Sequence, residues 1–144
     1  MKTVNEMKLS FPSKSCNEAF ARSAVAAFIM NLDPTLSELS DLKTAVSEAV
    51  TNCIVHGYRR MGGMIYISGK IFEDGRVTVK IRDKGCGIEN VEQAMQPLFT
   101  TAPDEERAGL GFAVMQSFCD RVRVKSQQQK GTTVTLEKRI DRHD

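Results

Sequence analysis

The sequence predicts an α+β fold, a two-layer α/β sandwich with helices covering one face of a mixed, mostly antiparallel sheet. Three observations predict it. Two stretches of helical period come before residue 57, the period changes to two from residue 64, and a helical stretch near residue 110 precedes two more alternating runs. The 144 residues suffice for one core but not for two ordinary domains with a linker, so residues 1–144 are read as one domain. With 41% hydrophobic and 26% charged residues, the composition is that of a globular chain.

Val4, Met7, Leu9 and Phe11 partly alternate before Pro12, which gives a first strand over 4–11. Ser15 and Glu18 have the spacing of a capping box, and Phe20, Ala24, Ala27 and Phe28 recur at helical intervals, so a helix is expected over 16–31. Thr35 and Glu38 repeat the signal. Leu39, Leu42, Val46, Ala49 and Cys53 then share one face of a second helix over 36–56, with Gly57 as its C-cap. Ile65, Ile67 and Ile71, then Val77, Val79 and Ile81, flank the turn Glu73-Asp74-Gly75-Arg76 and read as a hairpin. A glycine-rich break from Asp83 to Gly87 leads to a short helical stretch near Val91 to Gln96, which Pro97 ends. Leu98 to Ala108 has no apolar period and carries Asp104, Glu105, Glu106 and Arg107, the pattern of a long exposed loop or lid. Gly109 to Gly111 opens a helix bearing Leu110, Val114, Met115 and Phe118, and strands follow over 121–125 and 132–138 around a turn at Gly131.

Several function classes fall away. Twenty Lys and Arg against eighteen Asp and Glu leave a net charge of +2, too small for nucleic-acid binding by bulk electrostatics. The longest apolar run, Ala24 to Met30, is seven residues, whereas a spanning helix needs about 20. No membrane segment is read. The polar start, Met1 to Glu6, lacks the apolar core of a signal peptide, so the cytoplasm is the expected compartment. Cys16, Cys53, Cys86 and Cys119 lie 33 to 37 residues apart with only His56 and His143 to assist, which argues against a zinc site or disulfide framework. Cys53 and Cys119, among apolar neighbours, read as small core groups.

On the second helix Glu48, Asn52 and His56 recur every four residues and form one polar ridge, about 40° apart per step. A solvated helix face would look the same. The chemical alternative gives Asn52 a hard amide oxygen for Mg²⁺ and makes Glu48 the base for a hydroxyl nucleophile. Asp83-Lys84-Gly85-Cys86-Gly87 ends a strand, where a carboxylate can accept from an exocyclic amine and glycines let the backbone approach a flat ring; an ordinary turn is the other reading. Gly109-Leu110-Gly111 stands where a helix begins, suited to phosphate oxygens or to a plain helix end. Order lifts these signals. A Glu-x-x-x-Asn helix, a strand ending in D-x-G-x-G, a lid and a G-x-G helix start follow one another between Glu48 and Gly111.

In that order the sequence resembles the GHKL ATP-binding domain shared by gyrase, the heat-shock chaperones, histidine kinases and MutL. Its flanking words are closer to one branch. Ser47-Glu48-Ala49-Val50-Thr51-Asn52 with His56-Gly57-Tyr58, Pro97-Leu98-Phe99-Thr100-Thr101 and Gly131-Thr132-Thr133 resemble the anti-sigma F factors of spore-forming bacilli, over nearly the whole chain. The resemblance implies that Glu48 is the general base of phosphoryl transfer, Asn52 the Mg²⁺ ligand and Asp83 the acceptor from adenine. It implies that Gly85 and Gly87 shape the adenine pocket with Thr133 beside them, and that Thr100, Thr101, Gly109, Leu110 and Gly111 belong to the nucleotide site. Arg107 would face the γ-phosphate, where a guanidinium suits the charge that develops.

The implied activities are inhibition of a sporulation sigma factor bound with ATP or ADP, and phosphorylation of a serine on an anti-anti-sigma antagonist. A homodimer is implied, and Arg22 on the first helix is expected to meet partners. A stress-response anti-sigma kinase and a nucleotide-gated sigma-binding module without phosphotransfer are the alternatives. The chain has no room for the helix pair that carries the phosphorylated histidine of histidine kinases. His56 reads as a packing or capping group, and His143 lies in a polar tail.

Overall fold

Residues 2–95 and 111–140 are described in a computed structural model of the chain. Strand β1 (Thr3–Pro12) leads into helix α1 (Cys16–Ile29), a single 3₁₀ turn (Met30–Leu32) and helix α2 (Leu36–Asn52). A π turn (Cys53–Gly57) extends α2, and strands β2 (Met64–Phe72) and β3 (Arg76–Asp83) form the expected hairpin. A short helix α3 (Val91–Met95), helix α4 (Phe112–Phe118) and strands β4 (Arg121–Gln127) and β5 (Gly131–Arg139) follow. The sheet order is β1-β2-β3-β5-β4, and all four ladders are antiparallel.

Strand periodicity sorts the sheet into two faces. Ile65, Ile67, Ile71, Val77, Val79, Ile81, Val134 and Leu136 are each at most 3% exposed on the face that the helices cover. Each such aliphatic side chain contributes about 1.5–3 kcal/mol by burial. The intervening residues, among them Lys8, Lys80, Arg82, Arg123 and Thr135, line grooves on the other face. Helix α1 and helix α4 both pack on α2. Leu42, Ala45, Val46, Ala49 and Val50 form the buried stripe of α2.

Helix starts separate the two capping expectations. At Thr35 the capping box is complete: the Glu38 N–H donates to Thr35 Oγ1 at 3.0 Å, and the Thr35 N–H donates to Glu38 Oε1 at 2.8 Å. At Ser15 there is none, because Ser15 already has helical backbone angles (φ −56°, ψ −34°) and Glu18 pairs with Arg22 at 3.4 Å. The phase of α1 differs by one residue from the expected face. Ala21, Val25 and Ile29 are the buried members, while Phe20 is 54% exposed and meets the Phe11 ring edge-on with centroids 6.0 Å apart. In α4 the buried pair is Phe112 and Met115, and Val114 points outward at 37% exposure. Gly57 ends the π turn rather than capping an α-helix; the Tyr58 N–H donates to the Cys53 carbonyl at 2.8 Å, a five-residue step.

Candidate functional site

The π turn and the glycine run after β3 build one end of the site against each other. The Cys86 N–H donates to the Gly57 carbonyl at 2.9 Å, and the Gln129 N–H donates to the Cys86 carbonyl at 2.7 Å. The Asp83–Gly87 segment is thereby held between α2 and the β4–β5 turn. No side chain fits in either contact. A Cβ on Gly85 would lie 2.0 Å from the Gly57 oxygen, and one on Gly87, already at φ +78°, would lie 2.3 Å from the Gln127 oxygen. Tyr58 props the same segment from below: its hydroxyl accepts from the Lys84 N–H at 2.7 Å and donates to the Met64 carbonyl.

Asp83, the last residue of β3, is only 4% exposed. The Gly85 N–H donates to its Oδ1 at 2.9 Å, and Thr132 and Cys53 also favour its charged form. Burial outweighs them and holds its pKa above the usual carboxylate value. Asp83, Asn52, His56 and Thr132 line one small cavity, closed on its apolar side by Ile88 and Phe112. Burial lowers the pKa of His56, so its imidazole is neutral at pH 7.

The other end of the site belongs to Glu48, one turn before Asn52 on α2. Burial raises its pKa, which makes it a stronger base than a free carboxylate. Gly111, at φ +65°, approaches it so closely that a Cβ there would lie 2.4 Å from Glu48 Oε2. Glu48 also lines a shallow groove between α1 and α2, together with Arg22 of α1 and Lys43 of α2.

Most of the sequence-selected residues that lie among the described ones therefore meet. Glu48, Asn52, Asp83, Gly85, Gly87 and Gly111 stand on the helix-covered side of the sheet or at its edge. Thr133 does not. Strand alternation turns its side chain to the opposite face, beside Lys8 and Arg82, and the residue that reaches the cavity is Thr132, paired with Asp83 in the ladder. Sequence reading missed Thr132, although counting parity from the buried Val134 would have found it. Cys53, expected as a core group, is buried and also lines the cavity. Gly57 was read as a cap, yet its closest neighbour is the Asp83 carboxylate: a Cβ there would lie 2.7 Å from Asp83 Cγ. The expectations for Thr100, Thr101, Arg107, Gly109 and Leu110, for the acidic run Asp104 to Glu106 and for His143 fall outside the described residues.

The donor set suits magnesium bound chiefly through phosphates. Glu48 and Asn52 offer hard oxygens one turn apart, and Mg²⁺ commonly takes one or two protein oxygens and fills its octahedron with phosphate and water. No group of three His, Cys, Asp or Glu able to hold a metal by itself occurs among the described residues. None of the described helices is long and apolar enough to cross a membrane.

Comparison with known proteins agrees with this geometry. The family model of the histidine kinase-like ATPase domain matches residues 11–138. The chain is 55% identical over 138 residues to an anti-sigma F factor of Clostridium beijerinckii, covering 95% of this chain and 96% of that one. It is 55% identical over 143 residues to the anti-sigma F factor of Caldanaerobacter subterraneus, covering 99% of each. Among solved structures, the RsbU and RsbW domains of a Mycobacterium tuberculosis protein superpose with a TM-score of 0.67 at 17% identity, over 95% of this chain and 33% of that one. The catalytic domain of the histidine kinase ThkA gives 0.57 at 14% identity, over 94% and 97%. These two likenesses concern the fold.

Proposed function

The chain belongs to the histidine kinase-like ATPase family and, within it, to the anti-sigma F factors, and on that premise we propose that it holds a sigma factor inactive and phosphorylates a serine of the protein that would release it. One observation supports the reading above the others. A single turn of α2 separates a basic carboxylate, Glu48, from the cavity in which Asp83 is fixed, so one bound nucleotide can span both.

Asp83 accepts from the adenine amino group, and the glycines on either side leave room for the flat ring. Asn52 would hold Mg²⁺, which would supply charge neutralisation to the phosphates. Glu48 takes the proton of the incoming serine hydroxyl as its oxygen forms the bond to the γ-phosphorus. The bond from that phosphorus to the β-phosphate oxygen breaks, and ADP leaves with the electron pair. A carboxylate whose pKa burial has raised is closer to the optimum for this task at neutral pH. Arg107 is proposed to stabilise the charge of the γ-phosphoryl group, Thr100, Thr101, Gly109, Leu110 and Gly111 to contact the nucleotide, and Arg22 to contact partner protein at the groove that Glu48 also lines. The protein acts in the cytoplasm as a homodimer, which sedimentation equilibrium checks.

Transfer of γ-labelled phosphate from Mg-ATP to the antagonist tests the reading. Labelled phosphoserine that disappears with Glu48→Ala and with Asn52→Ala is the expected result; binding of Mg-ATP without any labelled antagonist would leave a nucleotide-gated binding module instead. Arg22→Glu should weaken binding of both sigma factor and antagonist while ATP affinity stays at the wild-type value.

A further inference from the structure

One row of residues runs across three strands at the edge of the cavity. In the ladders Asp83 of β3 is paired with Thr132 of β5, and Thr132 with Ser126 of β4. Asp83 and Thr132 line the cavity, and Ser126 stands next in the row, its hydroxyl 2.8 Å from Thr132 Oγ1. Two further bonds fix that hydroxyl. It accepts from the Ile88 N–H at 2.7 Å and donates to the Gly131 carbonyl at 3.1 Å. A serine hydroxyl has one proton and two lone pairs. With the proton directed at Gly131 and one lone pair taken by the Ile88 N–H, the second lone pair is what remains for Thr132. The Thr132 O–H is therefore the donor of the 2.8 Å bond. No other arrangement keeps all three bonds, and this one leaves Thr132 with lone pairs alone to offer toward the cavity.

We propose that Ser126 is a positioning residue for base selectivity: by taking the Thr132 proton it leaves the wall beside Asp83 able only to accept, which admits the exocyclic amine of adenine and rejects the carbonyl oxygen that inosine or guanine carries in its place. The inference rests on the reading above that adenine occupies this cavity. A threonine hydroxyl free to turn would serve either base, as acceptor from an amine or as donor to a carbonyl. Selectivity here comes from withholding the proton, not from added attraction to ATP. A carbonyl brought against two acceptors stays unpaired, and so do they. The row is held firmly enough to enforce this. Ile88 directly follows the glycine run, and Gly131 packs so closely on β3 that a Cβ there would lie 2.1 Å from the Asp83 carbonyl oxygen. Ser126 thus bonds to residues on both sides of the segment that carries Asp83, and Thr132 takes its orientation from that frame.

The test is calorimetric titration of the full chain, in magnesium, with ATP and with inosine triphosphate, which carries a carbonyl oxygen in place of the exocyclic amine. Ser126→Ala frees the Thr132 proton, so inosine triphosphate should bind more tightly than to the wild-type chain and the preference for ATP should fall about fivefold. A serine with a structural role alone would move both affinities down together and leave their ratio, which is read on one preparation shown to be folded by thermal unfolding. Ser126→Thr keeps the hydroxyl at a strand position that suits a β-branched residue, and should keep the wild-type preference. In a Thr132→Val background no hydroxyl remains to be oriented, so adding Ser126→Ala should leave the ratio where Thr132→Val put it. A ratio unaltered by Ser126→Ala, a fall that comes from weaker ATP binding alone, a threonine variant indistinguishable from alanine, or an equal effect in the Thr132→Val background would overturn the proposal. Asp83→Asn tells the two levels apart, because an amide can donate to a carbonyl. If it leaves the preference for ATP intact, the placing of adenine in this cavity fails and this inference with it, whereas a fall in Asp83→Asn with none in Ser126→Ala overturns only the role of Ser126.

Discussion

The two ends of the site are built on opposite plans. Around Asp83 the structure is backbone packed on backbone, with positions at Gly85, Gly87 and Gly131 where a Cβ would come within 2.0 to 2.3 Å of a carbonyl oxygen. Around Glu48 the walls are side chains, half-exposed, facing a groove open to other molecules. The first end is shaped before any ligand arrives, which suits recognition of a rigid ring; the second leaves room for a protein substrate to bring its own hydroxyl. Rigidity and access are thus divided between two turns of the same helix.

The sharpest way to break that division is at Glu48. Glu48→Gln should lower phosphate transfer by about 10²- to 10⁴-fold while ATP affinity stays within twofold, measured by single turnover and calorimetry. At the other end, Asp83→Asn should weaken ATP about 10- to 100-fold through loss of a bond to a charged acceptor, with little change in the transfer rate at saturating ATP. Gly85→Ala should cost about 1–3 kcal/mol in denaturant unfolding, because its Cβ would collide with the Gly57 carbonyl. Gly62→Ala, at φ +91° but with nothing within 4 Å of its Cβ, should cost less.

The smallest effect concerns His56. Its pKa is lowered on folding, so the unfolded chain binds the proton more readily. Stability is therefore complete above the unfolded value, roughly 6.5, and declines as pH falls below it. Melting temperatures between pH 7.5 and 5 should show this decline, and it should flatten in His56→Gln.

The fold was legible because its signals are local and repeated. The Thr35 and Glu38 capping box and the alternation of Ile65, Ile67, Val77, Val79 and Ile81 each state a period that tertiary packing then uses. Where a signal had a competitor, it misled. Ser15 carries the residues of a cap but sits on helical backbone, and Phe20 has the spacing of a core residue but finds its partner in Phe11 at the molecular edge. The site was legible in its order of motifs and less so in its parity: Thr133 and Thr132 differ by one residue, and one residue is a whole sheet thickness. The π turn could not be foreseen, since nothing in Cys53 to Gly57 distinguishes a five-residue step from a four-residue one. That turn is what brings Gly57 to Asp83.

The most direct test of the divided site is single-turnover transfer from Mg-ATP to the antagonist, followed over a range of ATP concentration for wild type, Glu48→Gln and Asp83→Asn. The account predicts that Glu48→Gln loses the rate and keeps the half-saturating ATP concentration, while Asp83→Asn keeps the rate at saturation and needs far more ATP to reach it. If both variants lost rate and affinity together, recognition and transfer would not be separable along α2, and the division of labour argued from its two ends would be contradicted.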